Sequence, residues 1–249
     1  MTKCLTLSCY LWMTVSQALF CQGNRSSLFR DIPESNSSIS KLVGNHTELS
    51  ILPHMIPIES KDKIATNFSI ARTEVTVKQY KFFCKETGKS MPSRMPFWGW
   101  QENHPIVYIS WKDAQEYCDW LSEKTGKKYR LPTTKEWEIA ARGGIKSLGY
   151  KYSGYENAES VAWFTENVNS LGSQVVAIKQ PNEVGLYDMS GNVWELCLGE
   201  HKLTRNTNVK SIKGGSWNRA RRTLQIQYTE EIHADYCNFD IGFRPVASF

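Results

Sequence analysis

The stretch Arg130-Leu131-Pro132-Thr133-Thr134-Lys135-Glu136-Trp137-Glu138-Ile139-Ala140-Ala141-Arg142-Gly143-Gly144 contains a helix with both of its ends specified. Thr133 followed three residues later by Glu136 is the pairing that satisfies two free N–H groups at a helix start. Trp137, Ala140 and Ala141 recur at helical spacing and define the buried side. Gly143-Gly144 supplies the conformational freedom with which helices stop. The same grammar appears upstream. Ser110 with Asp113 opens a helix whose apolar face is Trp111, Ala114, Tyr117, Cys118 and Leu121, closed by Gly126. Before it, Val77, Tyr80, Cys84 and Thr87 sit at helical spacing and end at Gly88, and Phe68-Ser69-Ile70-Ala71 alternates as a strand. Downstream of Gly144 the helical period is lost. Short strands and turns take over, punctuated by Gly, Asn, Asp and Ser around pairs such as Trp163-Phe164 and Leu186-Tyr187.

The chain has 249 residues, room for one domain with an export segment and a linker. Residues 1–18 have the order of a secretory signal peptide. Lys3 is followed by an apolar run from Cys4 to Val15, and Ser16-Gln17-Ala18 places small residues before a cleavage point. That run is too short to span a bilayer, so no transmembrane span is expected. Acylation at Cys21, as in a lipoprotein, fits poorly behind Ala18 and Phe20. Residues 19–50 read as a Ser/Asn-rich linker or arm and 51–249 as the folded domain. Asn24, Asn36, Asn45 and Asn67 stand in Asn-x-Ser/Thr triplets, which are glycosylation acceptors only in a eukaryotic secretory pathway. These features predict an exported protein at the cell surface, in the periplasm or secreted.

Apolar residues make up 41% of the chain, enough for a core, and the nine tryptophans suit a fold with irregular gaps to fill. The net charge of +5 comes without a dense basic block, which argues against a nucleic-acid partner. Cleavage after Ala18 leaves Cys21, Cys84, Cys118, Cys197 and Cys237, an odd number, so at least one thiol stays free or acylated. No Cys/His spacing fits zinc. The pairing of these cysteines is not readable from spacing.

Several separated blocks, in order, resemble the formylglycine-generating enzyme or sulfatase-modifying factor family. They are Ala71-Arg72-Thr73-Glu74-Val75-Thr76, His104-Pro105-Ile106-Val107 with Ile109-Ser110-Trp111, and the Arg130–Gly144 stretch. Gly185-Leu186-Tyr187-Asp188-Met189-Ser190-Gly191-Asn192-Val193-Trp194-Glu195, Gly214-Gly215-Ser216-Trp217 and Ile241-Gly242-Phe243-Arg244 complete the series. The resemblance implies an α+β, C-type-lectin-like fold with little regular secondary structure, in which helices pack on a small antiparallel sheet. The family includes oxidases, other enzymes and non-enzymatic relatives, so fold does not determine function.

The resemblance also implies a site. The family's oxidases hold copper(I) between two cysteines that follow the Gly-Gly-Ser motif, because a soft cation prefers thiolate sulfur. The matching positions here are Arg219 and Leu224, and no cysteine lies between Cys197 and Cys237. No copper is therefore expected and no catalytic residue is assigned. A structural calcium is implied at Asp188 and Glu195 with the main-chain carbonyls of Gly191 and Val193, an all-oxygen set suited to a hard cation. The opposing reading has Asp188 capping a turn and Glu195 paired with an arginine. The family's other calcium site is expected to be lost, since Val161 and Ala162 stand in its place.

Trp194 and Ser216 match residues of the family's cleft, and Trp194 also reads as a core aromatic. Arg219, Arg221 and Arg222 cluster where the thiols would stand. They form either an anion-binding cleft or a structural, solvated set. The residues favour a non-oxidase binding or scaffolding module for a protein, peptide or glycan. The alternatives are an enzyme using the same cleft by other chemistry, or the sulfatase-modifying activity itself. Glu136 and Glu138 read as structural rather than as an acid–base pair. The five histidines lack helical i, i+4 spacing and suit no iron site.

Overall fold

The computed structural model describes residues 50–61, 67–169, 171–198 and 208–248. The signal-peptide segment, the linker through residue 49, Cys21 and the triplets at Asn24, Asn36 and Asn45 lie outside the described residues. Within them the elements run β1 (Met55–Ile58), β2 (Phe68–Ala71), α1 (Val77–Thr87), α2 (Trp111–Thr125), β3 (Tyr129–Arg130) and α3 (Thr134–Ala141). There follow α4 (Ala158–Val161), β4 (Trp194–Leu196), β5 (Val209–Lys213), β6 (Thr229–His233), β7 (Ile241–Gly242) and β8 (Val246–Ser248). Helices give way to short strands and loops after Gly144, as the periodicity predicts.

The three longer helices share one start. Thr76, Ser110 and Thr133 each accept the N–H of the residue three positions on, and Gln79, Asp113 and Glu136 return a bond to the cap backbone. Each cap contributes about 1 kcal/mol. Helices α1 and α2 stop at left-handed Gly88 and Gly126. Helix α3 stops one residue earlier than its glycines, at Arg142, and Gly143 then turns the chain into a short 3-10 segment.

Two four-stranded sheets form, in the orders β1-β2-β8-β3 and β6-β5-β4-β7. Pairing is antiparallel except for β4 with β7, which lie parallel. Strand content is thus divided between two sheets where the resemblance implied one. Strand β8 inserts between β2 and β3, so the C-terminal residues close a sheet begun before α1.

An aromatic cluster binds the helices to the second sheet. The Tyr117 ring lies 5.4 Å from Phe83 and from Trp120 and 5.3 Å from Phe243, spacings at which offset and edge contacts are favourable. Two face assignments change. Phe83, not Thr87, completes the buried side of α1, because the Thr87 hydroxyl bonds back to the Phe83 carbonyl at the exposed end. On α2, Trp120 is buried and Trp111 only half-buried, since Trp111 occupies the first turn beneath the Lys210 ammonium. A second cluster gathers around Trp137 with Ile58, Ile70, Leu186, Met189 and Val246.

Candidate functional site

Strand β5 ends at Lys213, and Gly214 and Gly215 follow with φ of 94° and 75°. A side chain at Gly215 would meet the Leu224 side chain at 2.6 Å, so only glycine passes here. The turn delivers Ser216 into the interior. Its hydroxyl donates to Asp240 Oδ2 at 2.9 Å, and the Arg219 Nε lies 3.5 Å from the same oxygen. Asp240 Oδ1 is buried without a partner. Burial pushes the Asp240 carboxyl above its ordinary range, against the Ser216 hydrogen bond and the Arg219 charge that favour ionisation. Trp194 joins through its backbone, whose N–H donates to the Asp240 carbonyl at 2.8 Å. Its indole is fully buried against Tyr228 with Nε1 unpartnered, so Trp194 is a core aromatic as well as a neighbour of the site.

The three arginines do not converge. Arg219 is held by Asp240, Arg221 pairs with Glu159 at 2.7 Å and Glu166 at 3.1 Å over the Phe164 ring, and Arg222 is exposed. Leu224 is fully buried with Tyr152, Ala158, Val161 and Phe164. A groove of about 240 Å³ opens beside Arg219, lined also by Ile212, Glu230, Ile232, His233 and Tyr236. A larger cavity, about 580 Å³, opens elsewhere beside Tyr80, Arg94 and Tyr108, where the Lys89 ammonium is already engaged by Asp113 and Glu116. Asp240 escaped the sequence reading. The only signal for it is its place directly before the Ile241–Arg244 block.

The second neighbourhood is the Asp188–Glu195 loop. Asp188, Gly191 and Asn192 all adopt positive φ, and a side chain at Gly191 would lie 2.3 Å from the Trp163 carbonyl. Glu195 is fully buried on β4. Its Oε2 accepts from Arg244 Nε and from Trp137 Nε1, both at 2.7 Å, and its Oε1 accepts from Arg244 Nη2 at 2.6 Å. The arginine partner foreseen for Glu195 is thus Arg244, itself fully buried. Asp188 Oδ2 accepts the Ala177 N–H at 2.7 Å, while Oδ1 is buried and unpartnered. Burial pushes the Asp188 carboxyl up to about 6, and the nearby Glu195 charge adds to the rise against the Ala177 hydrogen bond and Arg244. Gly191 and Val193 are buried in the same loop.

Among the described residues, no group of three or more His, Cys, Asp or Glu side chains is set to hold a metal. A cation here would therefore rest partly on main-chain oxygens. Beside them the orphaned side-chain oxygen Asp188 Oδ1 fits a cation ligand, because a buried carboxylate oxygen without a donor is costly unless a positive charge meets it. Glu138, the other carboxylate raised by the sequence, pairs with buried Lys213 at 2.7 Å. The four described cysteines, Cys84, Cys118, Cys197 and Cys237, are free thiols.

The capped helices, the twin sheets and the glycine turn before Ser216 define a class, and comparison with known proteins agrees. The chain belongs to the family described as "Sulfatase-modifying factor enzyme 1-like domain", which matches residues 45–249. "Chaperone protein LppX" of Paenibacillus barcinonensis is 29% identical over 76% of this chain and 82% of that protein. "Inactive C-alpha-formylglycine-generating enzyme 2" of Bos taurus is 33% identical over 56% of this chain, and the match spans about half (49%) of that relative. Among solved structures, CarF superposes with a TM-score of 0.69 at 27% identity, covering 80% of this chain and 99% of CarF. PvdO from Pseudomonas aeruginosa, at 22% identity and a TM-score of 0.63, supports the fold alone; it is matched over 80% of this chain and 92% of its own.

Proposed function

We propose that this chain is a non-oxidase member of its family, an exported module that binds a protein, peptide or glycan at the cleft beside Ser216, Arg219 and Asp240. One observation carries the reading. The two positions from which thiolates would grip copper(I) are an arginine ion-paired to Asp240 and a leucine packed in the core. A guanidinium repels a monovalent cation and a buried isobutyl group offers it nothing. The relatives named as a chaperone and as an inactive enzyme are compatible with a role without turnover. Export is inferred from the order of charge, apolar run and small residues in residues 1–18.

The site suits a ligand with polar groups. The groove beside Arg219 is lined by Glu230 and His233 as well as by Ile212, Ile232 and Tyr236. Calcium at the Asp188–Glu195 loop, with Asp188, Gly191, Val193 and Glu195 as its ligand set, is part of the same proposal, as a structural ion rather than a reagent. Two measurements test the function. Purified protein loaded with copper(I) is given a sulfatase-type peptide containing Cys-x-Pro-x-Arg, and oxygen uptake and aldehyde are followed. Turnover there sinks the reading. Affinity capture from the native organism should return a stoichiometric partner, and Arg219→Ala together with Asp240→Ala should lose it.

A further inference from the structure

Glu74 is the buried charged group that neither the fold nor the cleft employs. It lies between β2 and α1, is fully buried, and neither of its carboxylate oxygens has a hydrogen-bond partner. Its position is set from both sides. Arg244 donates to the Ala71 carbonyl, and the Val75 N–H donates to the Phe243 carbonyl at 2.9 Å. The same guanidinium reaches the Tyr187 carbonyl, adjacent to Asp188, and holds Glu195. Arg244 thus gathers three chain segments, and Glu74, Asp188 and Glu195 lie within electrostatic reach of it and of one another.

The unmet oxygens are not shared evenly. Glu195 is supplied by Arg244 and Trp137, whereas both oxygens of Glu74 and one of Asp188 have no donor. Buried polar atoms without partners call for a missing group, and a divalent cation would supply the charge and the coordination these oxygens lack. We propose that Glu74 is a further ligand of the calcium ion in this domain, beside Asp188. This rests on the reading that the Asp188–Glu195 loop holds calcium, and adds an acid to its ligand set. A protonated Glu74 is the competing account, and it makes the opposite forecast for a glutamine.

Calcium is titrated into the full chain by calorimetry, and terbium(III) into a parallel sample by tryptophan-sensitised emission. Trp137, whose indole N–H lies 2.7 Å from Glu195, is a donor close to the site. Glu74→Gln should weaken calcium at least tenfold and dim the terbium signal, and Asp188→Asn should do the same. Should the parent bind neither ion, the calcium reading and this one both fall. If the parent binds and Glu74→Gln binds equally well, only the role of Glu74 falls and the loop keeps its ion. Should Glu74→Gln not fold, Glu74→Asp decides: it keeps the charge but withdraws the carboxylate by a methylene. A ligand then loses several-fold in affinity, and an unchanged affinity overturns the proposal.

Discussion

Arg244 shows how one side chain can hold distant segments together. Its donors are spent on Glu195 and on the Ala71 and Tyr187 carbonyls. Replacing it by methionine strands the Glu195 carboxylate in the core, and breaking a buried pair on one side costs roughly 3–5 kcal/mol. We expect the urea midpoint of Arg244→Met to fall accordingly, and the double replacement Arg244→Met with Glu195→Leu to recover much of the loss. The thiols give a second expectation. Burial pushes the Cys118 and Cys197 thiols well above their ordinary range, and Cys197 also feels the Glu195 charge. Cys237 is half-exposed. Peptide mapping after brief alkylation of the folded protein should find Cys237 labelled and Cys118 and Cys197 untouched until urea is added.

Elements here are short, so their ends carry much of their stability. Glu136 caps α3 through Thr133 and accepts a forked pair from Arg130 at 2.6 and 2.7 Å. Burial raises its carboxyl, but the Arg130 and Thr133 bonds outweigh it and hold it below the ordinary 4.5. A depressed carboxyl stabilises the fold above its unfolded value, and that stability is lost as pH falls through the folded value. Glu136→Gln should therefore cost about 1–2 kcal/mol at pH 7, and its deficit against the parent should shrink as pH falls below the ordinary 4.5 and through the lower folded value. Chemical denaturation at a series of pH values measures both. The loop before β4 is equally particular. Gly191→Ala forces a methyl to within 2.3 Å of the Trp163 carbonyl at φ 85°, and should cost at least about 2 kcal/mol by the same assay. The capping boxes at Ser110 and Thr133 and the stops at Gly88 and Gly126 were all legible in the sequence, because each joins residues within one helical turn.

At the scale of the described domain, the two larger core clusters share a strand. On β8, Val246 packs into the cluster around Trp137 and its neighbour Ala247 into the cluster around Tyr117, on opposite faces of one sheet. That shared strand predicts one cooperative unfolding transition for the domain. Leu121→Ala in the first cluster and Ile70→Ala in the second, both fully buried, should each cost about 2–5 kcal/mol and move the same transition, with circular dichroism and tryptophan fluorescence coincident. Two separated transitions would show that the clusters unfold independently.

Caps, most of each helix face and the absence of a paired thiol after Gly214-Gly215 were determined by the sequence alone, since they depend on neighbours or on residue identity. The candidate site was legible only in part. Ser216, Arg219 and Asp188 could be named, but Asp240 as the partner of Arg219, Arg244 as the partner of Glu195, and the stranding of Glu74 could not. Those relations join residues far apart in the chain, and their strength comes from burial, which removes water and makes each charge depend on what the fold places beside it. Local chemistry wrote the elements; only the closed core could decide which acids are answered.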